Sequence, residues 1–303
     1  MHKPKFWNKK NSLFSLFLFP FSLLLQLLIV IKNNIDNKEK FSLPVICVGN
    51  IYLGGTGKTP VSIEIVEILK KINKSAAIIK KYYTAHTDEF KMIKSRQIPL
   101  FTNKLRSEAI KEAKANKYDC AVLDDGFQDS KINAKLNIIC FNSQQLIGNG
   151  FTLPSGPLRE PLSALKRSQI IIINGNINHE FENKIKNISK NIKIYYSKYL
   201  PVNIDYFKNH KLLAFAGIGN PENFFNLLEE CNLKIIKKIS FPDHYNYSED
   251  ELNELVNFAS KNNLKIVTTE KDFFRIKHLA ILQIKCLNIK LEILDKDNFE
   301  KEI

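Results

Sequence analysis

Arginine is scarce in this chain of 303 residues. Lys and Arg together number 45, yet only Arg96, Arg106, Arg159, Arg167 and Arg275 are arginines. Arg is the usual bidentate reader of base edges, so the composition leans away from sequence-specific DNA recognition, and no nucleic-acid partner is expected. Cysteine is sparse too: Cys47, Cys120, Cys140, Cys231 and Cys286 make an odd set without a C-x-x-C pair. Nothing in that set requires an oxidising compartment. Cys47 and Cys140 lie inside apolar runs and read as small core hydrophobes. Internal repeats are lacking, and ordinary hydrophobic (44%) and charged (25%) fractions exclude a disordered tail, a collagen-like rod and a disulfide-stapled miniprotein.

Positive charge, in contrast, is plentiful. The formal net charge of +14 points to a polyanionic partner such as an anionic membrane or a phosphorylated substrate. The stretch from Ser12 to Ile31 carries no charge at all over twenty residues. About twenty residues suffice to cross the hydrocarbon core, so residues 1–35 read as a membrane-associated segment. The residues after the run, Asn33-Asn34-Ile35-Asp36, lack the small side chains of a signal-peptide cleavage site. Lysines flank the run on both sides and do not select an inside. Pro20 at its middle leaves open a kinked segment that enters one leaflet and returns.

Downstream, Leu43–Val48 is a compact apolar run suited to a buried parallel strand. It leads into Gly49-Asn50-Ile51-Tyr52-Leu53-Gly54-Gly55-Thr56-Gly57-Lys58-Thr59, and an amphipathic stretch follows from Pro60. Strand, Gly-rich loop and helix in that order are the context of a P-loop, with Tyr52 to Thr59 as its nucleotide-binding residues. Backbone N–H groups of the loop would close on phosphate oxygens, Lys58 would reach the β/γ-phosphates, and Thr59 would hold Mg²⁺. One departure stands out: the pattern places Gly where this chain has Tyr52.

A second apolar strand, Cys120-Ala-Val-Leu, ends in Asp124-Asp125-Gly126-Phe127-Gln128. Carboxylates at the carboxyl edge of a sheet, beside a P-loop, are suited to Mg²⁺, so Asp124 and Asp125 join Thr59 as candidate metal ligands. Further strands at Ala76–Ile79, Leu136–Phe141, Ile170–Ile173 and Ile192–Tyr195 alternate with helical stretches such as Asn103–Lys117. This predicts an α/β fold with a mostly parallel sheet covered by helices on both faces. From Leu212 the pattern restarts as a second, smaller α/β unit, so residues 36–200 and 201–303 are expected as two domains. Lys198–His210 reads as the link, and the Asn-rich stretch Asn174–Asn191 as solvated surface.

The ordered motifs resemble one family, tetraacyldisaccharide 4'-kinase. They are Val48-Gly-Asn50 with Gly54-Gly-Thr-Gly-Lys-Thr-Pro60, Asp124-Asp-Gly-Phe-Gln128, the stretch Gly148–Pro161, Phe215–Glu222, Phe241-Pro-Asp-His-Tyr245 and Thr268-Thr-Glu-Lys-Asp272. The resemblance implies transfer of the ATP γ-phosphate to the 4'-hydroxyl of a tetraacylated glucosamine disaccharide 1-phosphate. The product would be lipid IVA. It also implies Mg²⁺, the anionic surface of a bacterial inner membrane on its cytoplasmic face, and a monomer. The family's Gly-Asp-Glu-Pro stretch is matched by Thr87-Asp88-Glu89-Phe90, which carries a catalytic-base role to Asp88 and a supporting one to Glu89. His244 is matched to the family's partner for that acid. Gln128 and Arg159 are candidates for substrate or phosphate contact, with a structural pin as the equal alternative for Arg159. The family's Ser-Arg-Gly-Tyr-Gly segment is replaced here by Lys80-Lys81-Tyr82-Tyr83. A different class of function, a membrane-tethered P-loop ATPase without lipid kinase activity, predicts hydrolysis in the absence of any acceptor. A catalytically weakened relative is a third reading, opposed by the retained Lys58, Thr59, Asp88, Asp124, Asp125 and His244.

Overall fold

The computed structural model describes residues 4–10, 12–83, 87–243 and 245–303, without the side chains of Asn34, Thr87 and Asp88. The chain divides into two compact units. The larger comprises Lys3–Tyr82, Ile98–Lys198 and Leu291–Ile303; the smaller comprises Met1–His2, Tyr83–Gln97 and Tyr199–Lys290. The chain thus passes to the smaller unit and back before the final return of its last residues to the larger one.

The larger unit is built on an eight-stranded sheet. Its strands in chain order are β1 (Val45–Gly49), β2 (Ala76–Lys81), β3 (Leu100–Asn103), β4 (Cys120–Asp124), β5 (Leu136–Asn142), β6 (Ile170–Asn174) and β7 (Lys193–Pro201). A late strand, β12 (Ile289–Ile293), closes one edge, and the spatial order is β12-β7-β6-β5-β1-β4-β2-β3. From β3 to β7 the neighbours pair in parallel, with Val48 level with Asp124 and Ile79 level with Leu123. Parallel strands buried on both faces read as unbroken apolar runs, as Val45–Val48 and Ile170–Ile173 do. Val45, Cys47, Ala77, Ile79, Ala121 and Leu123 share one core cluster with Ala109, Ile110 and Ala113 of α4 (Arg106–Ala115). The alternate residues Ile46, Val48, Ile78 and Val122 are equally buried, and α2 (Lys58–Lys71) packs against β1, β2 and β4. Burial pushes the Cys47 thiol up to about 12 and raises Cys140 as well, as expected of cysteines that act as core hydrophobes.

The Asn-rich stretch is mostly solvated surface, as expected, and is helical in part. It forms α5 (His179–Ile188), capped by the Asn178 side chain accepting from Phe181 N–H at 2.9 Å, and it buries Phe181 and Ile185. Two apolar residues four apart are enough to seat a helix whose other faces are polar.

The apolar N-terminal run is one continuous helix, α1 (Leu13–Ile35), with Pro20 inside it. Most of its large side chains are exposed, Leu13 at 82% and Phe17 at 74% among them. A polar seam on one side is buried instead. Ser15 and Ser22 are fully covered, Ser22 Oγ donates to the Thr152 carbonyl at 2.9 Å, and Gln26 Nε2 donates to Thr152 Oγ1 at 2.7 Å. Ser155 Oγ donates to the Ser15 carbonyl at 2.8 Å, and Asn149 Nδ2 to Ser15 Oγ at 3.0 Å.

The smaller unit holds a four-stranded parallel sheet in the order β11-β10-β8-β9. These strands are β8 (Lys211–Ala216), β9 (Lys234–Ser240), β10 (Lys265–Thr269) and β11 (Ile284–Leu287). Leu212, Ala214 and Ala216 join Phe224, Phe225 and Leu228 of α6 (Pro221–Glu230), whereas Leu213 and Phe215 join Leu252 and Ala259 of α7 (Glu249–Lys261). Successive residues of β8 therefore feed two separate cores, one on each face. α7 opens with a capping box between Ser248 and Glu251. Also here, α3 (Thr87–Ser95) packs on α8 (Glu270–Ile276). The Lys198–His210 stretch is partly ordered: β7 runs on to Pro201, and a short helical turn spans Ile204–Tyr206.

Candidate active site

β1 lies at the centre of the sheet, and the order of strands reverses beside it, so the loop leaving β1 opens at the crevice where α/β sheets bind ligands. The loop depends on glycine where the chain turns left-handed: Gly57, at φ +88°, immediately precedes α2. Because Gly57 offers no side-chain cap, the first N–H groups of α2 are left for an anion or water. Asn50, fully buried, knits the loop from inside. Its Nδ2 donates to the Tyr52 carbonyl at 2.6 Å, the Gly54 carbonyl at 3.2 Å and Thr56 Oγ1 at 3.0 Å.

Tyr52, the departure from the P-loop pattern, has a physical explanation. Its side chain is 2% exposed and belongs to the core, while its backbone bridges to Leu158. Leu53 N–H donates to the Pro157 carbonyl at 2.8 Å and Arg159 N–H to the Ile51 carbonyl at 2.6 Å. The proline-rich stretch is thereby fastened along the P-loop, with the Tyr52 ring directed away from it.

At the end of β4 the two aspartates part company. Asp124 is 1% exposed; its Oδ2 accepts from Thr59 Oγ1 at 2.8 Å and from Lys80 Nζ at 2.6 Å. Its Oδ1 is buried without a hydrogen-bond partner among the described residues. Asp125 takes a left-handed φ of +63°, which Asp tolerates better than most residues, and turns to the other side. There it meets Arg159 Nη1 at 3.0 Å and Lys58 Nζ at 3.6 Å, and its carbonyl accepts from Arg106 at 2.6 Å. Burial alone would raise the Asp125 carboxyl, but Lys58 and Arg159 outweigh it and bring the value down to about 2. Burial lowers the Lys58 ammonium, with Asp125 pulling the other way. The turn is tight: a Cβ on Gly49 would lie 2.4 Å from Phe127 Cβ.

Gln128 Nε2 donates to the Asn50 carbonyl at 2.9 Å and to Glu160 Oε1 at 3.1 Å, and its Oε1 accepts from Arg159 at 3.2 Å. Arg167 holds Glu160 at 2.5 Å and lies over the Phe127 ring at 4.2 Å. Three of the chain's five arginines therefore surround the Asp-Asp-Gly-Phe-Gln turn. Sequence reasoning missed Asn50, Lys80, Arg106, Glu160 and Arg167. Their signal was weak but present: Asn50, Lys80 and Glu160 sit near a strand end or in a motif, and arginine is rare enough for Arg106 and Arg167 to be asked about.

The remaining candidates belong to the smaller unit. Glu89, on α3, is 7% exposed and ion-paired with Lys271 of α8. The Asp88 side chain and His244 lie outside the described residues. Around His244, Tyr245 Oη donates to Glu251 at 2.6 Å and Tyr247 Oη to the fully buried Asp272 at 2.9 Å. Asp272 also accepts from Gly217 N–H at 3.0 Å, Thr269 Oγ1 at 2.7 Å and Arg275 at 2.9 Å. The Gly217 and Thr268–Asp272 motifs thus meet at one carboxylate.

Residues 14–303 match the family model described as "LpxK: Tetraacyldisaccharide-1-P 4'-kinase". A "Tetraacyldisaccharide 4'-kinase" of Pelagibacter ubique is 44% identical, across 100% of this chain and 97% of that protein. One of Rickettsia canadensis is 32% identical, across 99% and 96%. Among solved structures, LpxK of Aquifex aeolicus in complex with ATP shares the fold, with a TM-score of 0.74 at 24% identity over 95% of this chain and 97% of that one.

Proposed function

The chain belongs to the tetraacyldisaccharide-1-phosphate 4'-kinase family, and from that membership we propose how its residues divide the work. It is a kinase of lipid A biosynthesis. The donor is ATP, and the acceptor is the 4'-hydroxyl of a tetraacylated glucosamine disaccharide 1-phosphate. The loop Tyr52–Thr59 receives the phosphates through its backbone and the start of α2, and Lys58 meets the β- and γ-phosphates. Thr59 and Asp124 would hold Mg²⁺, which would supply charge neutralisation to the phosphates. The donor set fits: Mg²⁺ commonly takes one or two carboxylates plus phosphates, and Asp124, whose Oδ1 has no partner among the described residues and whose Oδ2 meets the Thr59 hydroxyl, supplies such a position. Asp125 would orient Lys58 and Arg159, and Arg159, held also by Gln128, would contact a phosphate.

Asp88 takes the proton of the 4'-hydroxyl, with His244 as its partner and Glu89 as support. The oxygen then bonds to the γ-phosphorus as the bond to the bridging oxygen breaks, and ADP leaves. The family match over nearly the whole chain, joined to a P-loop whose Thr59 contacts Asp124, carries this reading. One chain supplies every residue named, so a monomer suffices.

We read α1 as a monotopic anchor that would hold this chemistry at the cytoplasmic face of the inner membrane. Its polar contacts run from Ser15 to Gln26, about 16 Å of helix axis, and hold that length against the folded unit. A spanning helix needs about 30 Å clear of protein, more than the remainder of α1 offers. Its exposed Leu and Phe side chains, flanked by lysines, suit a helix lying in an anionic interface.

The deciding experiment follows phosphate from γ-labelled ATP to tetraacyldisaccharide 1-phosphate in detergent micelles, with wild type and Asp88→Ala. Mg²⁺-dependent labelling of the lipid that collapses in the variant is expected. Hydrolysis without lipid labelling would overturn the reading in favour of a tethered ATPase.

A further inference from the structure

Lys80 is the penultimate residue of β2, in the stretch where this chain departs from its family's pattern. A lysine at a strand end usually extends into solvent, yet this one is 6% exposed. Its Nζ lies 2.6 Å from Asp124 Oδ2, the same oxygen that accepts from the Thr59 hydroxyl. Asp124 itself is 1% exposed, so its charge has almost no access to water and requires a cation nearby. Lys58 acts on it only from further off, since its 3.6 Å contact is to Asp125, so Lys80 is the cation in direct contact. The carboxylate that would face Mg²⁺ therefore already has one oxygen engaged by an ammonium, and its Oδ1 has no hydrogen-bond partner among the described residues.

We propose that Lys80 is a built-in counter-cation of the metal site: it competes with the divalent ion for Asp124, holding the carboxylate in place between turnovers and weakening the grip on the metal. This rests on the assignment of Thr59 and Asp124 to Mg²⁺ above. Two positive centres on one carboxylate share its charge, so the ion binds less tightly than it would to Asp124 alone. The site gains a carboxylate that stays organised without metal, and the Mg²⁺–ADP product is released more readily.

The test uses Mn²⁺ with ADP as probe on the detergent-solubilised full chain, followed by water-proton relaxation, so that affinity is read without turnover. Lys80→Met should tighten Mn²⁺–ADP binding by about tenfold, the scale on which a ligand's hydrogen-bond partners tune metal affinity. Lys80→Arg, which keeps the charge, should stay within about twofold of wild type. In an Asp124→Asn background most of the gain from Lys80→Met should vanish, because nothing is left to compete for. Unchanged or weaker binding by Lys80→Met overturns the proposal, as does a gain that persists undiminished beside Asp124→Asn. Should Lys80→Met alone fold poorly, the neutral pair Lys80→Met with Asp124→Asn buries no charge. Its comparison with Asp124→Asn then still decides, since a tenfold gain there refutes competition. Failure of Mn²⁺–ADP to bind even the wild type would instead overturn the metal assignment itself, and the proposal with it.

Discussion

The larger unit carries 30 Lys and Arg against 18 Asp and Glu, whereas the smaller carries 15 against 13. Almost all of the positive surplus therefore belongs to the unit with the P-loop and α1, and the unit that contributes Asp88, Glu89 and His244 is close to neutral. Local architecture differs in the same sense. In the larger unit the candidate side chains sit at the ends of central strands and on a loop knitted by Asn50. In the smaller unit Glu89 sits on a short helix and pairs with Lys271, and Asp272 forms a separate hub with Tyr247. Phosphoryl transfer depends chiefly on positioning and charge neutralisation, while a general base adds a bounded factor. The comparison teaches that this chain gathers its positive surplus in the unit that carries the P-loop, and on the proposed reading leaves the near-neutral unit for the proton.

If that division is right, removing a phosphate cation must cost at least as much as removing the base. Lys58→Ala is expected to lower lipid phosphorylation by about 10³-fold or more, and Asp88→Ala by about 10²–10⁴-fold. Initial rates of labelled-phosphate transfer rank the two directly. A Lys58→Ala enzyme substantially more active than Asp88→Ala would break the comparison.

The second test concerns the bracing of the smaller unit. Asp272→Asn removes the ion pair that Asp272 makes with the Arg275 guanidinium, which is only 12% exposed. A loss of about 3 kcal/mol is expected, read as a lower midpoint of thermal unfolding. Nucleotide binding to the larger unit, measured separately by titration with ADP, should change little. Equal losses of both would mean that the two units are not independently organised.

The smallest effect sharpens the electrostatics of the larger unit. The Asp125 carboxyl is held below its ordinary value, so its stabilisation is fully present above the unfolded carboxyl value near 4. It is lost as pH falls towards about 2. Asp125→Asn should therefore show a shallower fall in unfolding temperature than wild type across that window. With the side chain one-third exposed, the difference should be about 2–4 °C. A parallel fall in both proteins would show that Lys58 and Arg159 do not hold that charge.

Much of this was legible from residues alone. β1, the P-loop and α2 announce themselves by an apolar run, glycines and an amphipathic stretch, because each step has a local physical cause. β8 to β10, with their helices, are legible for the same reason. Legibility fails where a partner distant in sequence decides. Nothing in Thr87–Ser95 says that it packs with α8, and nothing in Ile289–Ile293 says that it closes the edge of the larger sheet. The Asn-rich α5 was obscured because only Phe181 and Ile185 mark its buried side. Lys80 was the hardest to see: a buried lysine looks like any other until the aspartate of the adjacent strand is placed beside it.

The seam along α1 also bears on how this chain can be handled. Ser15, Ser22 and Gln26 fix the rotation of the helix about its own axis, so one side of it is part of the folded unit's wall. Cutting α1 away to obtain a detergent-free enzyme would strip the covering from Thr152, Ser155 and Asn149 and leave a raw polar face beside the P-loop's own bracing strand of chain. Exchanging the outward Phe14, Phe17, Leu24 and Leu28 for polar residues removes the greasy exterior and keeps the wall intact.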